Sequence, residues 1–178
     1  MNDLEDKYAI LSSAFVAKGS KNLIYQEDKF NNIILNNLVE TNKPLYRGIS
    51  IKELMKNKFV VGETLCFDRV TSFSEDYELA RGFSVEEYGT NCIVVIEGNK
   101  SVFNYTQEMG KVLADLMEIC KTTNDVERYD YLYDQMKMIY EEKEWMSEKS
   151  AKFKIVDIKY RDYFKSESEH TVVTIKRF

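Results

Sequence analysis

At 178 residues, with 44% hydrophobic, 31% charged and 13% aromatic residues and one proline, the chain fits one globular domain that buries its core without metal or disulfide staples. A net charge of −5 and a pI near 5.1 argue against a module held on nucleic acid by charge alone, though not against an RNA substrate. Three cysteines fit neither a disulfide framework nor a zinc site, and no stretch approaches the roughly 20 apolar residues of a membrane span, so buried thiols, a reducing cytoplasmic setting and no membrane partner are expected.

Residues 3–40 read as helical. Leu4, Tyr8, Leu11 and Phe15 recur at helical spacing with Gly19 as a C-terminal stop, and a second helix carries Phe30, Ile33, Ile34 and Leu38. Residues 41–44 end that helix at Pro44. Residues 45–49 then read as a short strand and 51–56 as one or two helical turns. Residues 59–67 suggest a strand broken at Gly62, and 70–73 another ending at Ser74. Followed by Glu75 and Asp76, Ser74 has the form of an N-cap for a helix presenting Leu79, Ala80 and Phe83 on one side. The continuous apolar run at 92–96 predicts a central strand buried on both faces. Residues 107–120 predict a helix with Leu113, Leu116, Met117 and Cys120 inward. Residues 121–130 read as a loop, and 131–141 suit a strand or a helix end. The tail predicts two strands, 152–160 and 171–178, joined by a charged turn that holds the lone His170.

Three features bear on chemistry, and their order matters: Arg47 on an early strand, a hydroxyl cluster in Thr71-Ser72-Phe73-Ser74, and the carboxylates of Glu142-Lys143-Glu144. A strand arginine is ordinarily a surface or salt-bridge residue, and a Ser-Phe-Ser segment ordinarily a turn or cap. In an extended segment Glu142 and Glu144 project to one face and repel. In a helical one, residues 141–148 form a solvated charge run. The sequence of arginine, then hydroxyls, then Glu-x-Glu in a strand-rich frame favours the extended reading.

In that order the chain resembles the ADP-ribosyltransferases marked by arginine, serine and glutamate motifs, and within them the Mod enzymes of T-even phages. The resemblance runs from about Asn42 onward. It rests on Asn42-Lys43-Pro44-Leu45-Tyr46-Arg47-Gly48-Ile49, Asp68-Arg69-Val70-Thr71-Ser72-Phe73-Ser74, Val102-Phe103-Asn104-Tyr105, Glu142-Lys143-Glu144-Trp145-Met146 and the closing strand. It implies an α+β ADP-ribosyltransferase fold, a split core of two small, mostly antiparallel sheets at a steep angle with N-terminal and flanking helices. The expected division of this single domain is a helical part at 1–41 and an NAD-binding catalytic core at 42–178. Where the family has Ser-Thr-Ser, this chain has Ser72-Phe73-Ser74.

The roles implied are specific. The reaction parts nicotinamide from ribose through a cation-like sugar, and Glu144 matches the carboxylate that stabilises this cation and holds the ribose 2′-hydroxyl. Ser72 matches the serine that hydrogen-bonds that glutamate and helps keep it ionised. Arg47 offers a planar fork to the NAD phosphates, and Gly48 lets backbone approach the nicotinamide amide. Phe83 or Tyr88 is placed to stack on nicotinamide, with core packing the favoured reading for Phe83. Glu142 matches the carboxylate that orients and deprotonates an attacking arginine guanidinium. NAD is the co-substrate and no metal is expected. The partners implied are host proteins bearing acceptor arginines, RNA polymerase or the translation apparatus among them, with NAD-capped RNA as a further substrate class, and the protein is expected to act as a monomer. The alternatives are an NAD glycohydrolase and a catalytically dead host-binding module.

Overall fold

The apolar spacing at the start of the chain does build helix. In the computed structural model, which describes residues 3–13, 23–87, 89–160 and 170–178, α1 (Asp3–Ser12) and α2 (Leu23–Asn36) bury Leu11, Phe30 and Ile34. Phe15, Gly19, Tyr88 and most of the charged turn before the last strand lie outside the described residues. The helical part ends earlier than expected. Residues 38–41 form strand β1 (Leu38–Thr41), whose backbone pairs antiparallel with residues 100–103, a tertiary partner that local apolar spacing does not reveal.

Strand β2 (Leu45–Gly48) and helix α3 (Ile51–Lys56) follow as expected, the helix opened by a capping box between Ser50 and Glu53. The strand expected over 59–67 shrinks to β3 (Thr64–Cys66), because Gly62 turns at φ 93°. After β4 (Thr71–Ser74) the N-cap of α4 (Tyr77–Gly82) is Asp76, not Ser74. The Asp76 carboxylate accepts from the Glu78 and Leu79 N–H groups, while Ser74 stays in the sheet opposite Glu144. A π-helical turn, Phe83–Glu87, completes α4.

Strand β5 (Cys92–Ile96) is buried at every position. Strand β6 (Lys100–Phe103) leads into α5 (Tyr105–Thr123), capped by Asn104. The loop expected over 121–130 is reduced to Asn124, in the left-handed conformation, and Asp125, the N-cap of α6 (Val126–Glu142). Residues 131–141 are therefore helix. Strands β7 (Glu144–Ser147), β8 (Lys152–Lys159) and β9 (Thr171–Arg177) close the fold.

The strand order among the described residues is β1-β6-β7-β4-β2-β5-β9-β8-β3. The first four pair antiparallel throughout, and the last five do so except for the parallel pair β5/β9. A single register pair, Tyr46↔Ser74, joins the two groups. These nine strands form one sheet flanked by helices, an α+β arrangement consistent with the fold that the resemblance implies. One apolar cluster lines the second group and takes in Phe73 and Trp145. A second cluster packs α1, α2, α5 and α6 against Phe103 and Met146.

Candidate active site

The junction of the two strand groups is where the motif residues meet. The register Ser72↔Met146 and Ser74↔Glu144 puts Ser72, Ser74 and Glu144 on one face of β4 and β7. Phe73 and Trp145 alternate to the other face and are buried. The departure from Ser-Thr-Ser thus falls on a ring that faces the core, away from the carboxylate.

Glu142-Lys143-Glu144 is neither fully extended nor helical, which corrects the expectation of one extended segment. Glu142 ends α6, Lys143 takes the left-handed conformation at φ 47° and ψ 50°, and Glu144 begins β7. Every side of this turn is held. The Ser74 hydroxyl donates to the Glu142 carbonyl at 2.7 Å, and the Glu75 N–H to the Lys143 carbonyl at 3.2 Å. The Glu144 N–H donates to Thr106 Oγ1 at 2.7 Å, and that hydroxyl donates in turn to the Ile139 carbonyl at 3.1 Å. The Trp145 indole N–H donates to Glu75 at 2.7 Å, and Lys43 pairs with the same carboxylate.

The electrostatics follow from this crowding. Burial and then the like charge of Glu142 push the Glu144 carboxyl up to about 7, against the Ser72 hydrogen bond and the Arg47 charge, which lower it. Burial also raises Glu142. Tyr105, fully buried, is driven far above the phenol range by burial and by both carboxylates. Glu142, Ser72 and Arg47 thus all act on the Glu144 carboxyl.

The planar fork of Arg47 is engaged within the protein itself. Its side chain is only 10% exposed, with Nη1 donating to the Ser72 carbonyl at 3.1 Å and Nη2 paired with Glu53 at 2.7 Å. Burial alone would raise Glu53, but the Arg47 charge and hydrogen bonds from Arg47 and Ser50 outweigh it and bring its carboxyl down to about 2. Arg69, more than half exposed, meets the same Glu53 oxygen at 3.4 Å.

Gly48 answers to helix packing: a Cβ there would lie 2.6 Å from the Ala80 carbonyl oxygen and 2.7 Å from the Ser84 nitrogen. Phe83 adjoins this glycine and is 43% exposed, so the core packing favoured for it does not hold; it ends α4 at the surface where the π-turn begins. Ser74 and Arg69 lie inside the Asp68-to-Ser74 motif, whereas Thr106 and Glu53 are the site residues that motif reading overlooks. Of the latter only Glu53 leaves a trace in the sequence, as the third position after Ser50 in a capping box.

The sequence pattern of the family described as Bacteriophage T4 Mod ADP-ribosyltransferase matches residues 7–177. The chain is 30% identical over 150 residues to the NAD–protein ADP-ribosyltransferase modA of Enterobacteria phage T4, covering 82% of this chain and 69% of that relative. Among solved structures it is similar to Plx2a, an ADP-ribosyltransferase toxin of Paenibacillus larvae, with a TM-score of 0.57 at 10% identity over 100% of this chain and 87% of the other. It is also similar to Vis, an ADP-ribosyltransferase of Vibrio splendidus solved in complex with agmatine, with a TM-score of 0.52 at 16% identity over 96% of this chain and 68% of the other.

Proposed function

The chain belongs to the Bacteriophage T4 Mod ADP-ribosyltransferase family and is a protein ADP-ribosyltransferase, and from that premise we propose that it transfers ADP-ribose from NAD to arginine side chains, with Glu144 and Glu142 dividing the work. One arrangement supports this reading above others: Glu144 shares a face of β4 and β7 with Ser72 and Ser74, two residues after Glu142, where the strand groups join and Arg47 donates to the Ser72 carbonyl.

Glu144 stabilises the positive charge that develops at ribose C1′ as the bond to nicotinamide breaks and its electron pair leaves with the ring nitrogen. In a site shielded from water this interaction is far stronger than in bulk solvent. Ser72 keeps a share of Glu144 ionised by hydrogen bonding. A guanidinium nitrogen then bonds to C1′, and its proton passes to Glu142, whose raised pKa makes it a better base. Arg47 ties β4 to α3 and supplies positive charge. The two guanidinium groups of Arg47 and Arg69 share one carboxylate, Glu53, so a net positive charge remains to attract the NAD diphosphate. Phe83, exposed beside Gly48, is the ring offered to nicotinamide.

The acceptors proposed are host proteins bearing accessible arginines in the bacterial cytoplasm. Incubation with labelled NAD and either a bacterial lysate or agmatine, a small guanidinium compound, followed by mass spectrometry, tests the acceptor class. ADP-ribose on guanidinium groups is expected, and modification confined to other side chains refutes it.

A further inference from the structure

Glu144 stands at the start of a strand, directly after a non-glycine residue in the left-handed conformation, a place where the backbone needs outside support to keep one geometry. The support comes from an element far away in sequence. Thr106 lies in the first turn of α5, just past the Asn104 cap and beside the fully buried Tyr105, whose hydroxyl donates to the Leu11 carbonyl at 3.1 Å. Its hydroxyl oxygen accepts from the Glu144 N–H at 2.7 Å and donates to the Ile139 carbonyl at 3.1 Å, the same carbonyl that takes the Lys143 N–H at 3.3 Å. One hydroxyl thereby closes the turn from the last turn of α6 to the first residue of β7. The other carboxylate has a separate anchor, because Ser74 holds the Glu142 carbonyl.

We propose that Thr106 is a positioning residue for Glu144, fixing through its backbone N–H where the carboxylate meets the sugar, with a hydroxyl at this position required for NAD cleavage at the full rate. The inference rests on Glu144 being the group that stabilises the sugar cation. Both halves of the hydroxyl's bonding are needed: an acceptor for the Glu144 N–H, and a donor that locks the hydroxyl's own direction. Serine supplies both and valine, of the same shape, supplies neither.

Steady-state NAD cleavage by the purified full chain tests this, comparing wild type, Thr106→Val, Thr106→Ser and Glu144→Gln, each with its thermal midpoint. Thr106→Val is expected to lower kcat by about 10- to 100-fold with KM for NAD changed less than about threefold, since a displaced carboxylate loses stabilisation of the transition state rather than of bound NAD. Thr106→Ser is expected to stay within about threefold of wild type in both. Should Thr106→Val fail to fold, Thr106→Ala reads the same quantity. Wild-type kcat in the valine or alanine variant overturns the proposal, as does a serine variant impaired as deeply as the valine one. Glu144→Gln separates the two levels: if it cleaves NAD at the wild-type rate, the role of Glu144 itself fails. If it is inactive while Thr106→Val is fully active, only the role of Thr106 fails.

Discussion

In the proposed mechanism Glu144 carries two opposed demands, a charge that the chemistry needs and surroundings that resist it. Its carboxyl titrates at about 7 in the folded protein against 4.5 in the unfolded chain, so the protonated form contributes stability that is whole below about pH 4.5 and is lost as pH rises through 7. Glu144→Gln is therefore expected to exceed wild type in stability at pH 8 by about 1–3 kcal/mol, since each pH unit between those two values is worth roughly 1.4 kcal/mol, and the gap should close at pH 4. Denaturant melts at the two pH values measure it, and a variant no more stable than wild type at pH 8 contradicts the crowded carboxylate. The same ionisation sets activity: kcat/KM for NAD cleavage should rise with pH through about 7 and level off as Glu144 becomes charged. Removing the like charge in Glu142→Gln should move this rise to lower pH, and an unmoved limb would deny the coupling. At the diphosphate end, Arg69→Ala is expected to raise KM for NAD about 3- to 10-fold with little change in kcat, read in the same assay.

Elements rather than single side chains explain Gly48. Its α-hydrogen faces the backbone of α4 and the π-turn, and backbone cannot step aside as a flexible side chain does. Gly48→Ala should cost about 1–3 kcal/mol through overpacking, a drop of several degrees in the thermal midpoint, and an unchanged midpoint would show that α4 yields. Legibility also sorts by element. Strand Cys92–Ile96 and helix α5 are readable in the sequence because burial imposes an apolar run or a continuous helical face, while Leu45–Gly48 and Thr71–Ser74, mixed in polarity, are readable through the motifs they carry. Strand β1 is not, since Leu38 and Val39 continue the apolar spacing of α2 and only pairing with β6 makes them strand. The first turns of α6 are equally hidden: among that helix's described residues Leu132 and Ile139 alone are buried, too few to show a face within a charged segment. The motif residues are legible in type and order, but the left-handed turn at Lys143 is not, because a lysine gives no hint of positive φ.

Across the described residues, the two strand groups pair backbone to backbone at one register position, and side chains reinforce that joint. Arg47, from one group, grips the Ser72 carbonyl of the other while its partner Glu53 anchors it to α3. Arg47→Lys keeps the charge but loses the planar fork, so stability and NAD cleavage should fall together, and a variant that loses cleavage with an unchanged thermal midpoint would assign Arg47 to substrate alone. No helix among the described residues is long and apolar enough to cross a membrane. The division of labour between the two carboxylates is the central claim, and one paired assay tests it most directly: nicotinamide release and label transfer to protein arginine from the same labelled NAD, for wild type, Glu142→Gln and Glu144→Gln. Wild type should do both, Glu142→Gln should release nicotinamide without labelling arginine, and Glu144→Gln should do neither. Arginine labelling that survives in Glu142→Gln, or nicotinamide release that survives in Glu144→Gln, contradicts it.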